Sequence, residues 1–541
     1  PKNDEYFNEY VSQSKERLKF ISNFSGSAGF AIILKNKNYL FVDGRYSIQG
    51  RIQSGKNFNI ITIPEKFPKD IFKTKRIIIG FDPKLHNERQ LNFLFNFKNI
   101  VLKPINKNLI DIIWGKKPKD LIKPFFFISK KYSGQSSYRK ISKIKNILIK
   151  KKINYLLVTA PENVAWILNI RGYDSSFSPM PNARLLMKNN GDMYLFSKSE
   201  KVSNIKRKFK EVKFFDECDM DKKLKSLSGE NILLDSLSCS IYYKNLLYKK
   251  NKVIEKIDPI YFFKSIKNPT EIKNMKKTHT LDGAALTKFL FWLKNNFRNK
   301  KITEISAQEK LENFRKMNKN YKFPSFSTIS GAGPNSAIIH YKASAQSNRT
   351  LKKGDIYLVD SGGQYSFGTT DVTRTISLGN SSEFIKEIYT RVLKGHIAVS
   401  DYKVKNNTKG SDIDRDARKS LKKIGLDYPH GTGHGVGYFL NVHEGPQSFS
   451  KKNKVNLKTG MIVSNEPGYY KEGYFGIRIE NLIFIKKNKF EELTMAPMEK
   501  DLIKRKMLNK KEISWLNKYH NKVKKNLLKF MNIKEKINLI D

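Results

Sequence analysis

Between residues 360 and 480 five side chains of metal-ligand type recur, each set among glycines or turn-forming residues, and they restrict the fold more than any other feature. They are Asp360 in YLVDSGGQY, Asp371 in GTTDVTRT, His434 in HGTGHGVG, Glu466 in SNEPGYY and Glu480 in GIRIEN. Asp360 ends an apolar run and Asp371 opens another, with Gly362, Gly363 and Gly368 between them. That spacing predicts a hairpin with the two carboxylates on neighbouring strands. Glu466 and Glu480, separated by Gly468, Gly473 and Gly476, repeat the arrangement. Carboxylates so placed repel one another by on the order of several kcal/mol unless cations lie between them. Four carboxylates and one imidazole form a hard, mostly oxygen donor set. Such a set suits two divalent ions such as Mn²⁺ better than a structural zinc, which favours Cys and His. The expectation is a dinuclear metal site on a large soluble enzyme.

With 541 residues the chain is long for one domain, and three domains are expected. Lysine and arginine exceed acidic residues by 53, which raises the question of a nucleic-acid or other anionic partner. The lysines are spread over the whole chain, as in KTKR, KIKNILIKKK and KKNKVNLK, with no aromatic-interleaved basic module. Compositional drift towards Lys, Asn and Ile explains the charge more simply, so no nucleic-acid partner is expected. Cys218 and Cys239 are too few for a disulfide scaffold and lie in no metal-spacing motif. No apolar run approaches the roughly 18 residues of a membrane span, and the polar opening shows no secretory signal. Cytoplasm is the expected compartment, with no membrane association. Pro1 follows no Met, so a segment preceding it is left open.

Along the chain, GFAIILK, NYLFVDGRYSIQG, NFNIITI and RIIIGFDP read as strands, followed by a helix over NERQLNFLFNF. This first α/β unit is expected over residues 1–120, ending where Pro118 breaks the pattern. A second, over 121–263, starts near Leu121. It opens with the helix SYRKISKIKNILIKKK, apolar at Ile141, Ile144, Ile147 and Leu148, followed by the strand NYLLVTA and later NILLD. The third spans 264–541, where Asn268-Pro269 followed by Glu271 opens a helix and a further long helix, DGAALTKFLFWLKNNF, comes next.

DSGGQYSFGTTDVTRT, HGTGHGVGYFLNVHEGP and NEPGYYKEGYFGIRIEN together resemble the signature of the pita-bread metallopeptidases. More closely, they resemble the three-domain Xaa-Pro aminopeptidases (the aminopeptidase P family), from about Glu9 to about His520. The resemblance implies an α/β (α+β) protein: two related N-terminal creatinase-like α/β domains, then a pita-bread catalytic domain with a C-terminal extension over about 497–541. It implies that Asp371 and Glu480 bridge two metal ions, that Asp360 holds one, and that His434 and Glu466 hold the other. By the same resemblance Glu466 is the candidate base and His443, in FLNVHEGP, the candidate donor to the tetrahedral intermediate. His340, in SAIIHY, and His430, in YPHGTGHG, match the family's other active-site histidines, with His340, His430, His443 and Arg45 of VDGRYS as substrate-binding candidates. Arg478 in GIRIE is expected to pair with a carboxylate.

The chain departs from the family at three points. Its opening helix and first strand are missing, its lysine content is very high, and KSLKKIGLDYPH carries lysines where the family makes a dimer contact through an aromatic. The usual homodimer is therefore left open. The activity implied is removal of an N-terminal residue from peptides with proline at the second position, by a water bridging two Mn²⁺ ions. The alternatives are a prolidase acting on Xaa-Pro dipeptides and, from another class, a catalytically dead pita-bread binding module or a basic nucleic-acid binder. The intact ligand set argues against the dead module.

Overall fold

The computed structural model describes residues 1–73, 76–120 and 122–540; the expected boundary at Leu121 and the chain end at Asp541 lie outside the described residues. It divides into two compact units, Pro1–Lys264 and Ser265–Asp541. Both are mixed α/β. No helix among the described residues is long and apolar enough to cross a membrane.

The first unit holds a three-stranded sheet, Phe30–Ile33, Asn38–Asp43 and Asn59–Ile63, a parallel pair, Ile77–Phe81 with Ile100–Pro104, and a six-stranded mixed sheet. The strand expected through NYLFVDGRYSIQG stops at Asp43. The Asp43 carboxylate accepts the Arg45 backbone N–H at 2.9 Å and turns the chain into a short 3₁₀ segment, followed by the helix Ser47–Ser54. In the six-stranded sheet Tyr155–Val158 is flanked by Asn231–Leu234 in parallel and Arg184–Lys188 antiparallel. The helix Ser137–Lys150 buries Ile141, Ile144 and Leu148 at helical spacing, while Ile147 is only half-buried.

In the second unit, the two helices expected from NPTEIKNMKK and DGAALTKFLFWLKNNF are one continuous helix, Pro269–Asn296. It starts as the sequence requires. The Asn268 side chain accepts the N–H groups of Thr270 and Glu271, and the Glu271 carboxylate accepts the Asn268 N–H. Nothing breaks it before Asn296, because Gly283 serves packing rather than a turn. A Cβ there would fall 1.9 Å from the Met495 carbonyl oxygen.

That unit has a three-stranded antiparallel sheet, Ile329–Ala332, Ile356–Ser361 and Val372–Ser377, and a five-stranded one ordered Glu444–Phe449, Gly433–Gly435, Ile462–Asn465, Asn481–Lys486 and Lys489–Glu492. Two smaller β-ribbons interrupt them. Gly363–Tyr365 pairs Gly368–Thr369 inside the first connection, and Gly468–Lys471 pairs Phe475–Arg478 inside the second. The helix Glu383–Ser400 packs Ile388, Val392 and Leu393 against a core that includes Phe475, Ile477 and Ile479. Burying such a side chain fully stabilises by roughly 1.5–3 kcal/mol, so the strands around Glu480 rest on a firm apolar base.

Candidate metal centre

Both acid pairs occupy one kind of position, where an antiparallel ladder stops and a ribbon takes over. The strands carrying Asp360 and Val372 are paired, Asp360 opposite Thr373 and Ser361 opposite Val372. The intervening ribbon belongs to a different sheet, so the expected simple hairpin is in fact a split one. Glu466 and Glu480 are equivalent. Asn465 pairs Asn481 on one side of them and Gly468 pairs Arg478 on the other. Asp371, Glu466 and Glu480 fall in the interruption itself, outside the ladder, whereas Asp360 keeps its pairing with Thr373.

His434 enters on the short strand Gly433–Gly435. A Cβ on Gly433 would lie 1.9 Å from the Ser464 carbonyl oxygen, so only glycine lets this strand approach the Glu466 strand so closely. The turn before it is braced by Asp414, which accepts from the Thr432 hydroxyl at 2.7 Å and pairs with Arg418, itself donating to the His430 carbonyl.

Ligand atoms of Asp371, His434 and Glu480 all fall within 4.8 Å of one another. His434 Nε2 lies 3.3 Å from Asp371 Oδ2 and 3.4 Å from Glu466 Oε1. Its Nδ1 lies 2.9 Å from the Gly435 carbonyl, an arrangement in which Nδ1–H donates and Nε2 points at the carboxylates as a ligand nitrogen should. Asp360 Oδ2 accepts from Arg478 Nη2 at 2.7 Å, and Glu480 Oε2 accepts from the Thr373 hydroxyl at 2.7 Å. The pairing expected of Arg478 is thus with Asp360.

The electrostatics fit a cation site. Burial, reinforced by Asp371 and opposed by Arg478, pushes Asp360 up to about 6. Burial together with the charges of Asp371, Glu466 and Asp360 holds Glu480 far above the usual carboxylate range. Burial acts the same way on Glu466, but His434, His430 and Arg478 outweigh it and hold that carboxyl low. For His434 burial alone would lower the pKa, yet Asp371 and Glu466 raise it to about 9. Asp360 Oδ1 is buried without a hydrogen-bond partner. An unpaired carboxylate oxygen among three other enclosed acids fits a divalent cation, which would supply the missing charge and the missing bond.

The remaining expected residues fall as follows. His443 is half-buried with its ring centroid 4.3 Å from that of His434. His430 has both ring nitrogens engaged, Nδ1 with the Gly431 carbonyl at 2.8 Å and Nε2 with the Tyr470 hydroxyl at 2.9 Å, and its enclosure lowers its pKa to about 4. A substrate contact from His430 would require one of these bonds to break. His340 is half-buried just beyond the 3₁₀ segment Gly333–Ala337, which packs on the strand carrying Arg478 through a 2.7 Å bond from the Gly476 N–H to the Ser336 hydroxyl. Arg45 lies in the first unit, where its guanidinium grips Asp43 at 3.1 and 2.7 Å.

Tyr470 was not anticipated. Its hydroxyl accepts from Arg478 Nη1 at 2.6 Å and meets His430, linking that histidine through Arg478 to Asp360. The signal was its place in NEPGYY, two residues into the strand after Gly468, where alternation turns Tyr470 and Gly468 to one face.

Three family patterns match the chain: the Creatinase/Prolidase N-terminal domain over residues 116–271, metallopeptidase family M24 over 273–487, and the C-terminal region of peptidase M24 over 487–538. A probable Xaa-Pro aminopeptidase P of Coprinopsis cinerea is 38% identical over 97% of this chain and 91% of its own length. Among solved structures, an X-prolyl aminopeptidase from Caenorhabditis elegans, described as a cytosolic enzyme with a di-nuclear active site, superposes with a TM-score of 0.93 at 28% identity, covering 100% of this chain and 93% of its own. The prolidase from Pyrococcus horikoshii, also 28% identical, reaches a TM-score of 0.55 and covers 67% of this chain and 99% of its own. The chain belongs to the Xaa-Pro aminopeptidase P family of the M24 metallopeptidases.

Proposed function

We propose that the centre built from Asp360, Asp371, His434, Glu466 and Glu480 binds two divalent metal ions, Mn²⁺ by preference, and hydrolyses the N-terminal Xaa-Pro bond of peptides. The observation that carries this reading is the gathering of Asp371, Glu466 and Glu480 about His434, with Asp360 near enough to feel the charges of Asp371 and Glu466 and one of its oxygens unpartnered. Oxygen-rich donors favour a hard ion such as Mn²⁺. When bound, the ions supply Lewis acidity that makes water a competent nucleophile near neutral pH.

The chain's own residues do the rest. Glu466, held in the carboxylate form, takes a proton from the attacking water and passes it to the proline nitrogen as the C–N bond breaks. His443, beside His434, donates a hydrogen bond to the oxygen that gains charge in the tetrahedral intermediate. Arg478 holds Asp360 and Tyr470, and His430 holds Tyr470 in turn. The acid-rich pocket attracts the free α-amino group of the substrate despite the net charge of +53. A Xaa-Pro bond has no amide N–H, so recognition cannot use that donor and falls to side chains such as His340 and, as a further candidate, Arg45. We also retain a division at about residues 120 and 264, which the N-terminal-domain match over 116–271 and the break after Lys264 support. Cytoplasm remains the proposed compartment, in keeping with two free cysteines.

The test compares metal-loaded protein on Xaa-Pro-Xaa, Xaa-Ala-Xaa and Xaa-Pro peptides. Rapid release of the first residue from Xaa-Pro-Xaa alone is the expected result. Equal cleavage of the proline and alanine tripeptides, or none, refutes the reading, and preference for the dipeptide reassigns the chain to prolidase chemistry.

A further inference from the structure

Arg374 lies in the strand Val372–Ser377, three residues after Asp371, and is 1% exposed. Neighbouring side chains on a strand face opposite ways. Thr373 therefore gives its hydroxyl to the Glu480 carboxylate, while Arg374 turns towards the C-terminal extension. Nη1 donates to the carbonyls of Thr373 at 2.8 Å and Glu480 at 2.7 Å. Nε donates to the Pro497 carbonyl at 2.8 Å. Nη2 reaches the Ala496 carbonyl at 2.7 Å, Asn481 Oδ1 at 2.9 Å and the Tyr519 hydroxyl at 2.9 Å. Tyr519, on the helix Lys510–Leu527, donates a hydrogen bond from its hydroxyl to the Ala496 carbonyl at 2.7 Å and stacks on Trp515.

One planar guanidinium thus joins the backbone beside Asp371, the backbone of Glu480 and two parts of the extension. A buried cation bonded to neutral acceptors is a poor source of stability, since its desolvation is costly. Its value lies in geometry, because the fork fixes several acceptors at once. Metal–oxygen bonds tolerate deviations of only about 0.2 Å, so a small shift of the Glu480 backbone would be felt at the ions.

We infer that Arg374 and Tyr519 are positioning residues of the metal centre: through them the C-terminal extension sets where Glu480 stands relative to the Asp371 strand. This rests on the reading of Asp371 and Glu480 as ligands. The extension is on this view part of the site, although it supplies no ligand.

The experiment titrates chelator-stripped protein with Mn²⁺ alone in a calorimeter, using the parent chain, Tyr519→Phe and Val523→Ala. Tyr519→Phe keeps the ring and its stack and loses only the hydroxyl. Val523, 1% exposed on the same helix, packs in the core, so its truncation controls for a weakened extension without touching the hydrogen bonds. Tyr519→Phe should weaken Mn²⁺ binding about 10-fold, the low end of the effect of removing a group bonded directly to a ligand because Tyr519 acts through Arg374, and Val523→Ala should leave it within about twofold while lowering Tm more. Equal Mn²⁺ affinity in the parent and Tyr519→Phe overturns the inference, as does an equal loss in both variants. A parent that takes up no Mn²⁺ sinks the metal-centre reading itself, and one that binds Mn²⁺ without cleaving Xaa-Pro peptides sinks the assigned activity alone.

Discussion

His396, midway along the helix Glu383–Ser400, is fully buried, and its ring meets Trp515 edge-on at 5.9 Å. Burial, aided by the nearby Arg374 charge, lowers its pKa from 6.5 to about 3. A histidine depressed in the folded state contributes stability that is complete above the unfolded pKa and drains away as pH falls towards the folded one. The window therefore runs from about pH 6.5 down to about 3. At pH 5 the deficit spans about 1.5 pH units, and at about 1.4 kcal/mol per unit the fold loses about 2 kcal/mol from this residue alone. Replacing His396 with Phe removes the titration, although the new ring also changes packing, so slopes with pH are compared rather than absolute values. Hydrogen exchange of peptides covering the helix, corrected for intrinsic rates, reads the local opening free energy at pH 7, 6 and 5. The parent should lose about 2 kcal/mol more than His396→Phe between pH 7 and 5. His86, His430 and His520 titrate in the same direction but are common to both proteins and cancel. Parallel curves for parent and variant would refute the reasoning.

His443→Ala should retain close to two metal ions per chain by elemental analysis while kcat falls roughly 10²- to 10³-fold, with a much smaller change in KM; near-normal kcat would remove it from the chemistry. Glu466→Gln should lose metal along with kcat, because one side chain serves as both ligand and base; full metal retention would separate the two roles. Lys267 and Glu444 form an ion pair whose side chains are 0% and 1% exposed, next to His443 in the chain. Glu444→Gln should cost about 3–5 kcal/mol in denaturant unfolding by stranding the ammonium group, and a loss under about 1 kcal/mol would show the lysine finds another acceptor or deprotonates. Gly433→Ala should force the His434 strand off the Ser464 carbonyl and weaken Mn²⁺ binding; unchanged affinity would mean the strands separate without moving His434.

The candidate ligand set was legible because each acid sits in a local pattern that dictates its own backbone: DSGG and NEPG end strands, and glycines allow close approach. The split ladders were not legible. Whether residues 363–369 continue the Asp360 sheet or form a ribbon in another depends on partners such as Tyr321–Pro324, some forty residues earlier in the chain, and periodicity carries no information about such pairing. The strand predicted past Asp43 failed for a local reason, the Asp43 side chain capping the turn. Arg374 and Tyr470 were not singled out from the sequence, because what they do depends on acceptors more than a hundred residues away, or on a chain of bonds through Arg478.

The split ladders also say where this enzyme can change. At the second split, pairing on both sides of Glu466 and Glu480 is complete before the chain reaches the ribbon's tip at Glu472 and Gly473, where Gly473 adopts a left-handed φ of 72° in open space. Residues added at that tip would lengthen the ribbon without altering the register that spaces the two glutamates. Insertions there cost little loop entropy, about 0.6 kcal/mol per doubling of length. The ribbon is therefore free to change length at its tip while Glu466 and Glu480 stay in register, so the architecture separates what a descendant is free to vary from what it must keep.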